Sequence, residues 1–515
     1  MYFLSPMHQT FRKVFDALEN KVMKKLSELN VKEIKRKGNW TDQDPEITGV
    51  ETNSLKVEKG DIFLARASNT KESHGIIFSD QAIQRGASLV ITDPDGYQFA
   101  LDKDLHSTAP FLIVGDLEYT LNYICDVFYP DKPNFVMGVT GTNGKTSVVN
   151  FSQQLIEQKN KSCVTIGTLG VGGVVSLKTE NTTPDQSYIA KILQMAKLKG
   201  ADYALLEVSS HSLVQRRING IQFKVFCFTN LSQDHLDYHK NMEKYFQAKL
   251  SILDVLTLDT KIIINIDTEY GKRFFAKAKN IGFKIETIGF SDIADVKLRI
   301  LQGTSNIQFI EIVKGALIYE FQTHLIGAFQ ALNIGMALLA CEKFGFNFQE
   351  MVDSCSSLKP VPGRLEFVGK TKKGALVYID FAHTPDALKH LLKSLRVLTK
   401  GRLLLVFGAG GERDKDKRKF MGSIAYKYSD LIYVTDDNPR HEDAKSIRKQ
   451  IIESCPSAIE IEDRAAAITI AIQQAQLDDV VIIAGKGHEQ VQIVRDNYFP
   501  FSDFEQASIA IQLIE

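Results

Sequence analysis

Short apolar runs recur along most of the 515-residue chain, and segments with a helical spacing of apolar residues separate them. This alternation is typical of parallel strands joined by crossover helices. It restarts after the segment "LKPVPGRLE", whose prolines and glycine favour a linker. Because a chain of this length exceeds one hydrophobic core, we predict an α/β fold of three domains. The predicted parts are an N-terminal extension (1–30), a small mixed α/β domain (31–115), a central parallel-sheet domain (116–358) and a C-terminal Rossmann-like domain (359–515).

The overall charge argues against nucleic acid or an anionic membrane as a partner. Lysine plus arginine and aspartate plus glutamate both number 62, so the net charge is zero. The six cysteines are scattered without a regular spacing, and the N-terminus lacks the pattern of a signal peptide. We therefore expect a cytoplasmic protein without a membrane span, acting on small molecules, and we expect a monomer.

The stretch "MGVTGTNGKTSVVN" joins an apolar run to a helical pattern and has the composition of a phosphate-binding loop. In such a turn, backbone N–H groups and the helix N-terminus face an anion, and a lysine adds a full charge. A hydroxyl placed after the lysine can bind Mg²⁺. The alternative is a tight turn with an exposed lysine. The agreement of strand, glycines and helix favours a nucleotide site formed by Gly141, Thr142, Asn143, Gly144, Lys145 and Thr146.

Two polar residues follow other apolar runs of the central region. Glu207 ends "YALLEV", and His235 lies in "FTNLSQDHLDYH". Because ligands bind beyond the carboxyl ends of parallel strands, both side chains are candidates for a site near the phosphates. A carboxylate suits Mg²⁺, whereas an imidazole is an unusual ligand for it. A lone histidine that follows a strand, as His235 does, is more often a structural residue that forms hydrogen bonds.

Together with the phosphate loop, ten further stretches resemble the Mur ligase family: "NTTP", "LEVSSHSLVQRR", "FTNLSQDHLDYH", "YFQAK", "LIGAFQALN", "PVPGRLE", "DFAHTPDAL", "GAGGERDKDKR", "DDNPRHED" and "AGKGHEQ". The match is to members that add the third amino acid to the UDP-MurNAc-peptide precursor of peptidoglycan. The resemblance implies that the central domain is a P-loop-type ATPase domain. It also implies that ATP first converts a carboxylate into an acyl phosphate, which an amine then attacks to give an amide, ADP and phosphate.

The resemblance also implies roles for individual residues. Lys145, Glu207, His235 and Lys249 would be catalytic, with Thr146, Glu207 and His235 on magnesium and Lys249 carried as a carbamate (N6-carboxylysine). Without the resemblance, Lys249 would be taken as a surface lysine on a helix. The nucleotide contacts would include Asn333, Arg364, Asp380 and His383, in addition to the phosphate loop. Those to UDP-MurNAc-L-Ala-D-Glu would be Ser54, Thr182, Thr183, Ser209 and Arg217.

The stretch "DDNPRHED" bears on the amino acid that is added. Its Asp-Asn-Pro-Arg sequence resembles that of family members that use meso-diaminopimelate, which is lysine with an extra carboxylate. A guanidinium can bind that carboxylate through two hydrogen bonds, and lysine would leave it unpaired. Taken alone, the stretch reads as a turn with a solvent-exposed arginine. The implied contacts are Arg413, Asp437, Asn438, Pro439, Arg440, Gly485 and Glu489.

Three alternatives stay open at this point. The chain could be a family member that adds L-lysine, or a sister ligase such as folylpolyglutamate synthetase. It could also be a nucleotide-dependent scaffold that has lost catalysis. The combination of Lys145, Glu207, His235 and Lys249 disfavours the scaffold, and "DNPR" with "AGKGHE" disfavours the sister ligase.

Overall fold

The computed structural model describes residues 22–67, 73–103, 109–301 and 307–513. Residues 1–21 of the predicted N-terminal extension lie outside the described residues. The chain divides into two compact units, and each is described by itself. The first unit comprises residues 1–138, 160–224 and 251–257, and the second comprises residues 139–159, 225–250 and 258–515.

The first unit contains the small N-terminal sheet. Three of its four parallel strands are buried apolar runs in the sequence, the fourth is Gly49–Glu51, and one antiparallel strand lies at its edge. The helix Leu117–Phe128 packs its apolar face into the same core, which includes Ile62, Leu89 and Leu121. The strands, in sheet order, are Glu33–Lys37, Phe111–Val114, Leu89–Thr92, Asp61–Leu64 and Gly49–Glu51.

The first unit also carries strands from the central part of the chain. Cys163–Gly167 pairs in parallel with Tyr203–Glu207 and antiparallel with Gly170–Gly173. The strand Phe135–Thr140 spans the division between the units, since its last two residues belong to the second. The α-helices among the described residues of the first unit are Ser79–Gln84, Pro94–Asp102, Leu117–Phe128, Gln186–Leu198 and Ser210–Val214.

In the second unit, one run of paired strands begins parallel and ends antiparallel. Val225–Phe228, Lys261–Asn265, Lys284–Gly289 and Val296–Ile300 are parallel neighbours, and Gln308–Lys314 and Leu317–Thr323 continue antiparallel. The helix Ala328–Lys343 is mostly buried and lies in the core of this unit. The other helices here are Lys145–Gln158, Leu236–His239, Met242–Leu250, Glu269–Ile281 and Phe348–Asp353.

The C-terminal part of the second unit forms a separate six-stranded sheet. Its edge strand Glu366–Lys370 is antiparallel, and the five that follow in sheet order are parallel: Leu376–Asp380, Val480–Ala484, Leu403–Phe407, Leu431–Val434 and Ile459–Glu460. Apolar clusters cover both faces of this sheet, as expected for a doubly wound arrangement. A hairpin of Val491–Val494 and Asn497–Pro500 stands apart from it. The helices are Pro385–Leu398, Lys417–Tyr428, Ala444–Ile452, Arg464–Gln474 and Asp503–Leu513.

These sheets confirm the predicted α/β class, and the predicted boundaries between domains stay predictions. Among the described residues, we find no helix with both the length and the apolar character needed to cross a membrane.

Candidate active site

The phosphate loop leaves the strand Phe135–Thr140 and enters the helix Lys145–Gln158. Gly141 (φ 153°) and Gly144 (φ 87°) adopt backbone conformations that favour glycine. A Cβ atom at Gly141 would lie 1.9 Å from the Thr229 hydroxyl oxygen, so this position admits no larger residue without a shift. Lys145 Nζ donates to the carbonyl oxygens of Gly141 and Thr142, each at 2.9 Å. The turn is therefore closed around its own lysine.

The segment after the strand Val225–Phe228 holds the phosphate loop in place. Thr229 Oγ1 donates to the Asn143 carbonyl at 2.6 Å, and the Asn143 N–H donates to Asn230 Oδ1 at 2.9 Å. The Thr142 N–H donates to the Asn230 carbonyl at 3.0 Å. Thr229 and Asn230 were missed in the sequence analysis, although their position after an apolar run marked them as polar residues at a strand end.

Lys249 is buried, so it is not the surface lysine that the sequence alone would indicate. Its side chain is 1% exposed, and its Nζ donates to the Gly141 carbonyl at 3.0 Å and lies 4.9 Å from the ring centre of Tyr245. Burial and the neighbouring charge of Lys145 hold the pKa of Lys249 well below its ordinary value, against the opposing effect of Asp234. A lysine in this setting carries a larger neutral fraction and is a better nucleophile than one in water.

Asp234, which the sequence analysis did not single out, is the centre of a buried polar group. Its carboxylate lies 3.4 Å from His235 Nε2, 3.7 Å from His383 Nε2 and 3.8 Å from Lys417 Nζ. Burial alone would raise the pKa of Asp234, but the hydrogen bond from His383 and the positive charges around it hold that pKa well below its usual range. The predicted residues His235 and His383 thus lie on either side of one carboxylate. His235 has φ 54°, an uncommon conformation for this residue type.

Arg364 reaches the phosphate loop from the segment that precedes the C-terminal sheet. Its Nη2 donates to Thr146 Oγ1 at 3.2 Å, and its guanidinium lies 4.3 Å from the ring centre of Phe381. Asp380 accepts hydrogen bonds from the backbone N–H groups of Leu365 and Ala382, at 2.6 and 2.7 Å. Burial raises the pKa of Asp380, and the charge of Arg364 opposes that shift.

Asn333 completes the predicted nucleotide residues in the second unit. It is 5% exposed on the buried helix Ala328–Lys343. A Cβ atom at Gly144 would lie 2.6 Å from Asn333 Oδ1, so the amide borders the loop at its second glycine. The structure therefore brings Asn333, Arg364 and the phosphate loop together.

His488 also lies beside these residues, although the sequence analysis did not include it. Its ring centre is 5.1 Å from that of Phe381, and its Nδ1 is buried without a hydrogen-bond partner among the described residues. Burial, with the nearby charges of Arg364 and His383, lowers the pKa of His488 to about 4. The imidazole is therefore neutral at pH 7.

Glu207 and most of the predicted precursor contacts cluster in the first unit. Both carboxylate oxygens of the buried Glu207 accept from Thr168, from its N–H at 2.8 Å and its hydroxyl at 3.0 Å. Thr183 Oγ1 donates to the Glu207 carbonyl at 2.8 Å and lies 3.3 Å from Ser209 Oγ. Arg217 Nη1 donates to the Thr183 carbonyl at 2.8 Å. Glu207, Thr183, Ser209 and Arg217 thus share one hydrogen-bond network.

The other two predicted precursor contacts have more local partners. Thr182 Oγ1 lies 3.4 Å from Thr168 Oγ1, next to this network. Ser54 donates to Gln81 Oε1 at 2.7 Å within the N-terminal sheet region. It is the first residue of the short helix Ser54–Lys56, which Asn53 caps.

The predicted amino-acid residues come from loops at the carboxyl ends of the C-terminal strands. Arg440 Nη1 donates to the Gly411 carbonyl at 2.8 Å. Both arginine side chains flank Gly410, since a Cβ atom there would lie 3.1 Å from Arg440 Nη1 and 3.9 Å from Arg413 Cγ. Burial and the positive charge of Arg413 lower the pKa of Arg440. Such a pair favours binding an anion between or beside the two groups. Pro439 lies next to the same loop, since a Cβ atom at Gly411 would be 1.9 Å from its carbonyl oxygen.

A second charge pattern lies next to this pair. Lys486, which is fully buried, donates to Asn438 Oδ1 and to Glu489 Oε2, each at 2.9 Å, and Asn438 Nδ2 donates to the same Glu489 oxygen at 2.9 Å. Burial would raise the pKa of Asp437, but Lys486 and Arg464 lower it. Gly485 has φ 118°, and a Cβ atom there would lie 2.7 Å from Asp437 Oδ2. The structure therefore joins all of the predicted amino-acid residues in one group of loops, with carboxylates beside guanidinium groups.

Comparisons with known proteins show which family the chain resembles. Residues 139–341 match the Mur ligase middle domain, and residues 363–487 match the Mur ligase, glutamate ligase domain. A UDP-N-acetylmuramoyl-L-alanyl-D-glutamate–2,6-diaminopimelate ligase of Agrobacterium fabrum is 36% identical over 91% of this chain and 94% of its own length. The ligase of the same name from Rickettsia conorii is 39% identical over 90% of this chain and 95% of its own length.

A solved structure of a protein with that name also resembles this chain. It has a TM-score of 0.66 and 31% identity, and the match covers 95% of this chain and 99% of the other. The chain therefore belongs to the Mur ligase family of ATP-dependent ligases. Its α/β fold has the three domains that were predicted: the small N-terminal domain, the P-loop-type ATPase domain and the Rossmann-like domain.

Proposed function

We propose that this protein joins meso-diaminopimelate to UDP-MurNAc-L-Ala-D-Glu, with ATP cleaved to ADP and phosphate. The observation that supports the proposal most strongly is that Arg413 and Arg440 flank Gly410, in loops joined by hydrogen bonds to Asn438, which also contacts Glu489. The far end of diaminopimelate carries a carboxylate and an ammonium group, which are complementary to these guanidinium groups and to this carboxylate. L-Lysine lacks that carboxylate and would leave the guanidinium groups without their partner.

The first chemical step activates a carboxylate of the D-glutamyl residue. A carboxylate oxygen forms a bond to the γ-phosphorus of ATP, and the bond from that phosphorus to the β-phosphate oxygen breaks to release ADP. Lys145 and the N–H groups at the start of the helix Lys145–Gln158 would offset the charge that develops on the phosphoryl oxygens. Arg364, which already contacts Thr146, would supply a second positive charge.

The second step forms the amide. The amine nitrogen of diaminopimelate attacks the acyl carbon, the bond from that carbon to the phosphate oxygen breaks, and the nitrogen loses one proton, which the departing phosphate can accept. Acyl phosphates hydrolyse readily, so water must be kept away from the reacting carbon. The buried surroundings of Asp234, Lys249 and Asp380 support such a site.

We infer that Lys249 is carried as a carbamate. CO₂ reacts with the neutral form of an amine, and the lowered pKa of Lys249 increases the fraction of that form. The product is an anion, which would reverse the repulsion between Lys249 and Lys145. This reversal gives the modification a physical benefit in this pocket.

Two of the three predicted ligand residues carry donor atoms of the kind that Mg²⁺ prefers. Thr146 and Glu207 offer the oxygen atoms that magnesium prefers, and the imidazole of His235 is the less usual donor. When bound, the ion would polarise phosphoryl oxygens. We propose Thr146, Glu207 and His235 as its protein ligands.

The UDP-MurNAc-dipeptide would bind through the network of Thr182, Thr183, Ser209 and Arg217, with Ser54 contributing from the N-terminal domain. Arg217 offers a guanidinium for the acidic groups of this substrate. Use of ATP and a nucleotide-linked precursor supports the cytoplasm as the site of action, and we propose that the protein acts there as a monomer.

The proposal is tested by phosphate release from the purified protein with ATP, Mg²⁺ and UDP-MurNAc-L-Ala-D-Glu. Parallel reactions contain meso-diaminopimelate, L-lysine or no amino acid. Release that depends on diaminopimelate is expected. Release stimulated by lysine alone would overturn the assigned role of Arg440, and no release with either amino acid would favour a sister ligase or a scaffold.

A further inference from the structure

Two arginine side chains, Arg418 and Arg464, are among the largest fully buried groups in the described part of the chain. They lie in the first turns of the helices Lys417–Tyr428 and Arg464–Gln474. A buried guanidinium is costly unless its donors are satisfied, so the groups that they contact are informative. The reaction described above involves neither of them.

Arg464 links the ends of two strands, Val480–Ala484 and Leu431–Val434, that flank the strand Leu403–Phe407 in the sheet. Its Nε and Nη2 donate to the two carboxylate oxygens of Asp503, each at 2.7 Å, which fixes the plane of the guanidinium. The remaining donors reach the Ala484 carbonyl at 3.1 Å and the Asp436 carbonyl at 3.4 Å. Ala484 precedes Gly485, and Asp436 precedes Asp437. One side chain therefore joins the two loops that carry the predicted amino-acid contacts.

Arg418 makes a second set of contacts between these loops. Its Nη1 donates to Glu442 Oε2 at 3.0 Å, and its Nη2 donates to Glu442 Oε1 and to the Gly410 carbonyl, both at 3.2 Å. Glu442 Oε1 also accepts from the Glu412 N–H at 2.6 Å. Arg418 thus connects the loop that carries Arg413 to the loop that carries Arg440.

The backbone at these loops needs such support. Glu412 has φ 53° and Arg440 has φ 51°, and residues other than glycine keep such uncommon conformations only where their surroundings impose them. The Gly411 N–H donates to the Asn438 carbonyl at 2.9 Å across the two loops. Two guanidinium groups and one carboxylate can contact both charged groups of one amino acid only if the loops that carry them stay at a fixed separation.

We propose that Arg418 and Arg464 are positioning residues that hold the three loops, residues 408–414, 436–442 and 485–490, at the spacing that selects the amino acid. The proposal rests on the proposed function. The two arginines act through the backbone and through Glu442, without touching the substrate.

The test uses the conservative variants R464K and R418K in the full-length protein. Lysine keeps the charge but replaces the planar fork of donors by a single nitrogen. It therefore no longer spans the two-point carboxylate pair and the backbone carbonyls that the guanidinium reaches from separate nitrogens. We expect the KM for diaminopimelate to rise about tenfold in each variant, with the KM for ATP changed less than twofold. The matched control is R402K, because Arg402 also forms a two-point pair, with Asp479 at 3.1 and 2.8 Å, in the same sheet domain and contacts none of the three loops. R402K should leave both KM values unchanged.

A second measurement separates positioning from general loss of structure. Hydrogen exchange at the Gly411 N–H should be about tenfold faster in R418K, with exchange in the strand Leu403–Phe407 unchanged. If R418K fails to fold, E442Q tests the same link by a smaller change, since it removes the carboxylate charge and keeps its shape. Equal rises in the KM for ATP and for diaminopimelate, or unchanged exchange at Gly411, would overturn the proposal.

The two proposals can fail separately. If the unmodified protein does not use diaminopimelate in the phosphate-release assay, the proposed function fails. Faster exchange at Gly411 in R418K would still show that the arginine holds the loops. If the unmodified protein uses diaminopimelate and the variants match it, only the positioning roles fail.

Discussion

The most specific consequence of the structure concerns Arg440. Replacing Arg440 with alanine removes the guanidinium that we assign to the far carboxylate of diaminopimelate, while the backbone links of the loop remain. Arg440 N–H donates to the Ile493 carbonyl at 3.1 Å, and the Arg440 carbonyl accepts from Arg495 at 2.8 Å, so the fold of the loop does not depend on the side chain alone. The expected defect is therefore in substrate recognition.

The magnitude follows from the hydrogen bonds that are lost. A hydrogen bond to a charged group contributes about 1.5–3 kcal/mol, and a partly desolvated two-point contact falls near the upper figure. A loss of about 3 kcal/mol corresponds to a roughly 150-fold lower kcat/KM for diaminopimelate. Arg440→Lys keeps a point charge and should lose about tenfold. For L-lysine, the alanine variant should lose little, because lysine has no carboxylate at that position.

The assay is steady-state phosphate release with each amino acid, and it yields kcat/KM for both and the KM for ATP. Arg396→Ala serves as the control, since Arg396 pairs with Asp430 at 2.8 Å, outside the three loops. A loss of the same size for diaminopimelate and lysine would refute the assigned contact. A large increase in the KM for ATP would show instead that the variant disturbs the fold.

Three further outcomes are expected. Lys249→Ala should lower turnover by at least about 100-fold, and millimolar acetate should restore part of it if an anion is missing; full activity in this variant would remove the carbamate role. Gly141→Ala should abolish ATP binding in a nucleotide-binding titration, because the new Cβ would lie 1.9 Å from the Thr229 hydroxyl. The control is Gly345→Ala, which is also at positive φ but has open space around it and should bind ATP normally. His488, whose pKa is lowered to about 4, binds a proton less readily in the folded state than its ordinary value of 6.5 implies, so folding stability should fall as pH drops from about 6.5 to 4. His488→Gln should reduce the slope of unfolding free energy against pH in that window by up to about 1.4 kcal/mol per pH unit, and an unchanged slope would contradict the burial of this imidazole.

The sequence predicted best those parallel strands that form nearly continuous apolar runs between polar segments, such as Cys163–Gly167, Leu403–Phe407 and Val480–Ala484. The parallel strand Val296–Ile300 and the antiparallel strands Gln308–Lys314 and Leu317–Thr323 were not predicted, because they are mixed in polarity and partly exposed. The strands of the C-terminal hairpin were not predicted either, because they are short and lie near the surface. Patterns of apolar spacing describe buried faces and carry little information on strands that face solvent.

The site shows a similar division. Residues in motifs were found, since a glycine, a lysine and a hydroxyl in order at a strand end define a phosphate loop. Asp234, Arg418 and Arg464 were not found, because a charged residue in the sequence gives no sign of its burial. Their roles depend on contacts between segments far apart in the chain, such as Asp234 with His383 and Arg464 with Asp503. The burial of Lys249 is of the same kind, although the family resemblance had marked that residue.

A competition between the two amino acids in one vessel measures directly which of them the protein selects. The protein is supplied with ATP, Mg²⁺, UDP-MurNAc-L-Ala-D-Glu and equal concentrations of meso-diaminopimelate and L-lysine, and the products are identified by mass spectrometry. Because both amino acids compete for one site, the product ratio reports the ratio of their kcat/KM values. We predict that the diaminopimelate amide predominates by at least about 100-fold, the discrimination expected for an unpaired guanidinium. A lysine amide in equal or greater amount would contradict the account of this site.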